Sequence, residues 1–105
     1  MAQRKVIWSK IAYLQRKSIL LYWFNRNKSN VFSIKLLRQT KEATKQLSQL
    51  PYLGKPTDIK NIRVYIMKDY SLFYSHTDTE IQVVCFWDNR QDPEILETLL
   101  SLIKK

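Results

Sequence analysis

The hydrophobic period changes at Pro51, and that change sorts the chain into two halves. Before it, apolar side chains recur at helical intervals of three and four. After it, they alternate as on a half-buried strand. Helical and strand patterns kept apart in this way predict an α+β fold, with helices segregated to one face of an antiparallel sheet.

The boundaries follow from local chemistry. Lys5 to Trp8 reads as a short strand, with Val6 and Trp8 on one face and Lys5 and Ile7 on the other. Ser9 is placed to cap a first helix, whose stripe runs through Ala12, Ile19, Trp23 and Arg26 and stops at Asn25-Arg26-Asn27. Ser29 or Asn27 caps a second helix with the stripe Phe32, Leu36, Thr40, Ala43, Leu47 and Leu50. Pro51 ends it, because proline lacks an amide donor and clashes with the preceding turn. The short link makes the two helices an antiparallel hairpin. Strands are expected at Ile62 to Met67, Tyr70 to Ser75 and Ile81 to Trp87, in strict alternation and joined by tight turns, hence an antiparallel meander. Asp92-Pro93-Glu94 supplies an N-cap, a first-position proline and an acid for a short final helix through Ile95, Leu96, Leu99, Leu100 and Ile103. The first strand must pair with a later one to satisfy its backbone.

At 105 residues the chain is expected to form one domain, residues 1–105. Three Trp, six Tyr and four Phe within a 45% apolar composition exclude a disordered chain. The single cysteine, Cys85, cannot form an internal disulfide, which fits a reducing cytoplasm. The longest apolar run, Ile19 to Phe24, is far too short to span a membrane, and no membrane partner is expected.

The formal charge is +9, and it is unevenly placed. Residues 1–50 hold eleven Lys or Arg against one acid, Glu42; residues 51–105 hold seven against eight. A basic half of this kind predicts an anionic partner, whether nucleic acid or an acidic protein segment.

Familiar enzyme templates are missing. One glycine, Gly54, excludes phosphate loops and dinucleotide fingerprints, and one Cys with one His gives no zinc spacing, so neither metal nor cofactor is expected. Cys85 lies in a Val-Val-Cys-Phe-Trp run and reads as a buried, inert thiol. His76 reads as a turn residue beside Thr77 and Asp78. Arg90 stands out: it is the only Lys or Arg between Lys68 and Lys104, it follows the last strand beside Trp87, and a guanidinium can grip an oxyanion at two points. Its structural alternative is a local ion pair with Asp88 or Asp92. Arg63 and Lys68, at the two ends of the first meander strand, are expected to share its surface, with Tyr65 and Tyr74 as rings that stack on bases. Such groups suit metal-independent RNA cleavage, although no residue is marked as the general base.

Val6-Ile7-Trp8-Ser9, Tyr22-Trp23, Pro51-Tyr52-Leu53-Gly54-Lys55, Ile62-Arg63-Val64, Tyr70-Ser71-Leu72-Phe73-Tyr74 and Phe86-Trp87-Asp88-Asn89-Arg90-Gln91-Asp92-Pro93 occur in an order that resembles the RelE/ParE superfamily of bacterial type II toxins. The resemblance implies a growth-inhibiting toxin neutralised by a cognate antitoxin. RelE-like members cut mRNA in the ribosomal A site without metal; ParE-like members poison DNA gyrase. Arg90 and Arg63 match basic positions of the superfamily and are the candidate catalytic residues. Ser71 stands where many members carry arginine, and Asp92-Pro93 stands where nucleases often place tyrosine or histidine. These departures favour ParE-like action on gyrase. Ribosome-dependent mRNA cleavage and a non-toxic nucleic-acid-binding module stay open as alternatives. On any of these readings Lys68, Tyr65, Tyr74 and Trp87 are the expected target-binding residues.

The first helix carries a further signal. Leu14 and Leu21 lie about 180° from its core stripe, with Leu20 and Phe24 nearby. The helix is then apolar almost all round, which marks either an interface or a second core layer under the C-terminal helix. Given the resemblance, Leu14, Leu21 and Phe24 are the expected antitoxin-binding residues.

Overall fold

A computed structural model of the chain describes residues 3–27 and 30–104. The elements run β1 (Lys5–Trp8), α1 (Lys10–Asn27), α2 (Val31–Gln49), β2 (Lys55–Pro56), β3 (Arg63–Met67), β4 (Tyr70–His76), β5 (Glu80–Asp88) and α3 (Pro93–Lys104). Among the described residues the strands form one five-stranded sheet, ordered β1-β5-β4-β3-β2. The α+β arrangement expected from the sequence is present: an N-terminal strand, a helical hairpin on an antiparallel β3-β4-β5 meander, and a short C-terminal helix. Two strand features go beyond it. β1 pairs parallel to β5, which makes the sheet mixed, and the turn after Pro51 contributes the two-residue edge strand β2.

Local capping decides where α1 and α3 begin. The Ser9 Oγ accepts the Ala12 amide at 3.0 Å, and Asp92 Oδ1 accepts the Glu94 amide at 2.9 Å. The start of α2 differs from expectation. Asn30 is its N-cap and offers no side-chain bond; Asn27 closes α1 instead, and Ser29 lies outside the described residues. Leu50, assigned to the α2 core stripe, is the C-cap and is exposed.

Each sheet face carries its own core. Ala12, Leu36, Ala43, Leu47, Tyr70, Leu72, Tyr74, Ile81, Val83 and Phe86 join the hairpin to one face, and Val6 and Trp8 pack against them. Phe73, Cys85, Trp87 and Leu100 form the second cluster, closed by Leu96, Leu99 and Ile103 of α3. Ile95 was expected to belong with these helix residues but is exposed, because it falls on the outer side of α3. Each fully buried leucine contributes roughly 2 kcal/mol.

Strict alternation along β5 is broken. Phe73 pairs with Cys85 and Tyr74 with Val83, so Val84 is an extra residue in the ladder. This bulge exchanges the faces downstream. Ile81 and Val83 point at the hairpin, Cys85 and Trp87 at α3, and Phe86 returns to the hairpin side. The Ser9 amide extends the β1–β5 pairing by donating to the Val83 carbonyl at 2.9 Å, and beyond it α1 covers the β5 edge, the Gln15 Oε1 accepting the Phe86 amide at 2.9 Å.

Candidate functional site

Arg90 sits just past β5, where the chain turns toward α3. Asn89 sets its position. The Asn89 amide donates to the Asp69 carbonyl at 2.9 Å, its Nδ2 donates to the Lys68 carbonyl at 3.2 Å, and its Oδ1 accepts from the Ser71 Oγ at 2.6 Å. One side chain thus ties the end of β5 to the two-residue β3–β4 turn. In that turn Lys68 adopts φ 65°, a conformation in which glycine is common and lysine unusual.

The Arg90 guanidinium meets Asp88 at two points, Nε to Oδ1 and Nη2 to Oδ2, both at 2.9 Å. Nη2 also donates to the Tyr70 hydroxyl at 3.1 Å, and that oxygen accepts the Trp23 indole N–H at 2.7 Å. The guanidinium carbon lies 5.5 Å from the Trp23 ring and 5.6 Å from the Tyr70 ring. Half of the Arg90 side chain stays in solvent, whereas Asp88 is 17% exposed. The hydrogen bond from Arg90 holds the Asp88 carboxyl below its ordinary value, and the same bond raises the proton affinity of Arg90.

The exposed part of Arg90 enters a cleft of about 530 Å³ whose walls include Ser18, Tyr22, Trp23 and Arg26 of α1 and Gln91. Arg26 donates to the Tyr22 hydroxyl at 3.3 Å, so two guanidinium groups line one cleft. Its one carboxylate, Asp88, is already paired and makes a weak base. Chemically, such a cleft can donate hydrogen bonds to an anionic group but holds no free base. Among the described residues no three His, Cys, Asp or Glu side chains come together to hold a metal ion.

The other expected site residues are dispersed. Arg63 does not share a surface with Arg90. Its β3 position pairs with Tyr74, whereas Asp88 pairs with Tyr70 at the other end of β4, some 13 Å along the strand at ~3.3 Å per residue. There Arg63 donates to the Tyr52 and Gly54 carbonyls and lies over the Tyr52 ring. Lys68 is at the Arg90 end, joined to it through Asn89. Tyr65 packs beside α2 and donates its hydroxyl to Gln46 Oε1 at 3.2 Å. Tyr74 and Trp87 are not surface rings. Tyr74 is fully buried, its hydroxyl donating to the Pro51 carbonyl at 2.7 Å and accepting the Gly54 amide at 2.9 Å; Trp87 is buried under α3. Neither can stack on a base from these positions.

Leu14, Leu21 and Phe24 are each about half exposed, and α3 packs on the opposite face of the sheet. The hairpin's outer apolar face is therefore not a second core layer. Tyr70, Asn89 and Tyr22 carry no site signal of their own in the sequence, and Arg26, expected on the α1 core stripe, is exposed and lines this cleft instead. The four-residue spacing of Tyr22 and Arg26 is the one signal that could have paired two of them, since it puts both on one helix face.

Comparison with known proteins bears on the family and the fold. Residues 6–93 match the family described as ParE toxin of type II toxin-antitoxin system, parDE. The fold is similar to a chain of the chromosomal ParDE system of P. aeruginosa, with a TM-score of 0.70 and 17% identity over 82% of this chain and 96% of that one. A chain of the E. coli DinJ-YafQ toxin–antitoxin complex is more distant, with a TM-score of 0.49 and 15% identity over 83% of this chain and 93% of that one. No curated protein matches the sequence. With its strand–hairpin–meander fold and a match that spans most of its length, the chain belongs to the ParE toxin family of type II toxin–antitoxin systems.

Proposed function

We propose that this toxin acts by binding, in the ParE-like manner of inhibiting DNA gyrase, with the Arg90 cleft as its target-contacting site. The observation that carries the reading is the two-point Arg90–Asp88 pair, backed by Tyr70 and Trp23. With Nε and Nη2 bonded to Asp88 and Tyr70, Nη1 is the nitrogen left to meet a carboxylate or phosphate, and it is held for that contact with little loss of side-chain freedom. The cleft offers no unpaired carboxylate or imidazole to activate an RNA 2′-hydroxyl. The sheet face under α3 is apolar and covered, so it presents no cations to a scissile phosphate.

Neutralisation follows from adjacency. Ser18, Asp88 and Gln91 line both the Arg90 cleft and a neighbouring groove that contains Leu14. An amphipathic, acidic antitoxin segment seated on Leu14, Leu21 and Phe24 reaches the edge of the Arg90 cleft and obstructs it. Lys10 and Lys17 of α1 and Lys35 and Arg38 of α2 are exposed on the same hairpin and supply the complementary charge.

Expression of the chain alone is expected to arrest bacterial growth and induce DNA damage while translation continues, and purified protein is expected to inhibit gyrase supercoiling. Transcripts cut at codon boundaries in a purified translation system would overturn the gyrase reading in favour of RelE-like cleavage. Salt-dependent nucleic-acid binding without growth arrest would overturn the toxin activity itself.

A further inference from the structure

A second cationic cleft lies at the other end of the sheet from Arg90. It measures about 410 Å³ and is walled by Tyr52, Thr57, Lys60, Asn61, Arg63 and His76 among others, with no carboxylate in its lining. Arg63 is fixed there before any ligand arrives. Its bonds to the Tyr52 and Gly54 carbonyls both leave from Nη1, so Nε and Nη2 hold no hydrogen-bond partner among the described residues. The Tyr52 ring packs 4.9 Å from the guanidinium carbon and edge-on to the His76 ring at 4.8 Å, which spaces the two groups across one aromatic wall. Asn61, at φ 70°, turns the chain between Lys60 and β3.

We propose that this cleft is an oxyanion site that takes a phosphate group on Arg63, Lys60 and His76. Three cationic or ionisable side chains on one cleft without a carboxylate suit a multiply charged oxyanion, and the Arg63 Nε and Nη2 donors can give the two-point grip that phosphate favours. The occupant is the phosphate of a small molecule or of a nucleic-acid backbone, which share this chemistry. The cleft shares no lining residue with the Arg90 cleft.

His76 couples the site to pH. Burial lowers its proton affinity first, followed by the charges of Arg4, before β1, and Arg63, on β3; Asp78 in the adjoining turn opposes them. A bound dianion offsets the two arginines, so it raises the His76 titration midpoint and binds more tightly once the imidazole is charged.

The chain has one histidine, so its imidazole resonances give an unambiguous NMR probe. Sulfate is the first probe, because its charge is constant across the titration. At matched ionic strength, sulfate is expected to raise the His76 midpoint saturably relative to chloride, and to bind at least about threefold tighter near about pH 5.5 than near about pH 8. Inorganic phosphate and a short oligothymidylate then separate the sources: tighter oligonucleotide binding assigns a backbone phosphate, and equal or weaker binding assigns a small phosphate ligand. Arg63→Gln is expected to weaken sulfate about tenfold. Because Arg63 also holds the Gly54 turn, the exposed Lys60→Gln serves as the second variant, with a loss of about threefold. A His76 midpoint that moves no more in sulfate than in chloride, or sulfate affinity unchanged in Lys60→Gln and in a folded Arg63→Gln, overturns the proposal.

Discussion

Arg90 and Asp88 form a two-point ion pair, with both contacts at 2.9 Å, in which the carboxylate is largely covered and the guanidinium half in solvent. This asymmetry separates a structural role from a binding role. Because Arg90→Ala leaves a largely covered carboxylate without its partner, it is expected to cost about 1–2 kcal/mol, so toxicity is compared at equal folded protein. Growth arrest should nevertheless be lost, and Arg90→Lys should restore part of it, because an ammonium cannot reproduce the fork. Full toxicity in a stable Arg90→Ala variant would remove the residue from the site.

The hairpin's outer face gives a binding test. Leu14→Asp combined with Leu21→Asp changes two half-exposed positions outside both cores. The double variant should stay folded by circular dichroism yet fail to capture its antitoxin by calorimetry. Antitoxin binding that survives both charges would move the interface elsewhere.

Gly54 is required by close approach. A Cβ there would lie 2.6 Å from the Tyr74 hydroxyl oxygen, and 2.8 Å from both the Tyr74 ring and the Val64 carbonyl oxygen. Gly54→Ala should cost about 1–3 kcal/mol in a urea titration. Tyr74→Phe should cost about 1–3 kcal/mol for another reason, since it strands the Gly54 amide and the Pro51 carbonyl. The two effects should not add, because both act on one contact.

Asn89→Ala removes the side-chain links from β5 to Lys68 and Ser71. Stability should fall by about 1–2 kcal/mol, and toxicity should fall further than that loss explains, because Arg90 is no longer held against the hairpin turn. Equal toxicity at equal soluble protein would show that Asn89 serves the fold alone.

Cys85 links stability to alkaline pH. Burial pushes its thiol from 9.0 up to about 11, with a bond from Gln15 opposing in part. The folded thiol keeps its proton in this window while the unfolded one releases it, so the unfolded state binds fewer protons and stability falls as pH rises from 9.0 toward 11. Below that window the group has no effect. Cys85→Ala should flatten the slope, and a thiol reagent at neutral pH should label the wild-type chain only after denaturation.

Much of the architecture was legible in one dimension, because it rests on contacts between near neighbours. The period change at Pro51, the Ser9 cap, the Asp92-Pro93 start and the Lys68-Asp69 turn are local, and α1, α3 and the β3–β4 connection form where they place them. What reversed expectation involved distant partners. The bulge at Val84 exists only through the register with β4, and it alone decides that Cys85 and Trp87 face α3 while Phe86 faces the hairpin. Alternation assigns a side chain to a face but does not say whether that face is covered, so Tyr74 and Trp87 looked like binding rings and are core. Antiparallel register put Arg63 and Arg90 at opposite ends of β4, and the packing of α1 against the β4–β5 end brought Trp23, Tyr70 and Arg90 together across sequence separations of up to 67 positions. The reason is physical: caps, turns and periods depend on bonds within a few residues, whereas a site assembled across helix, strand and loop has no energy until the chain has closed on itself.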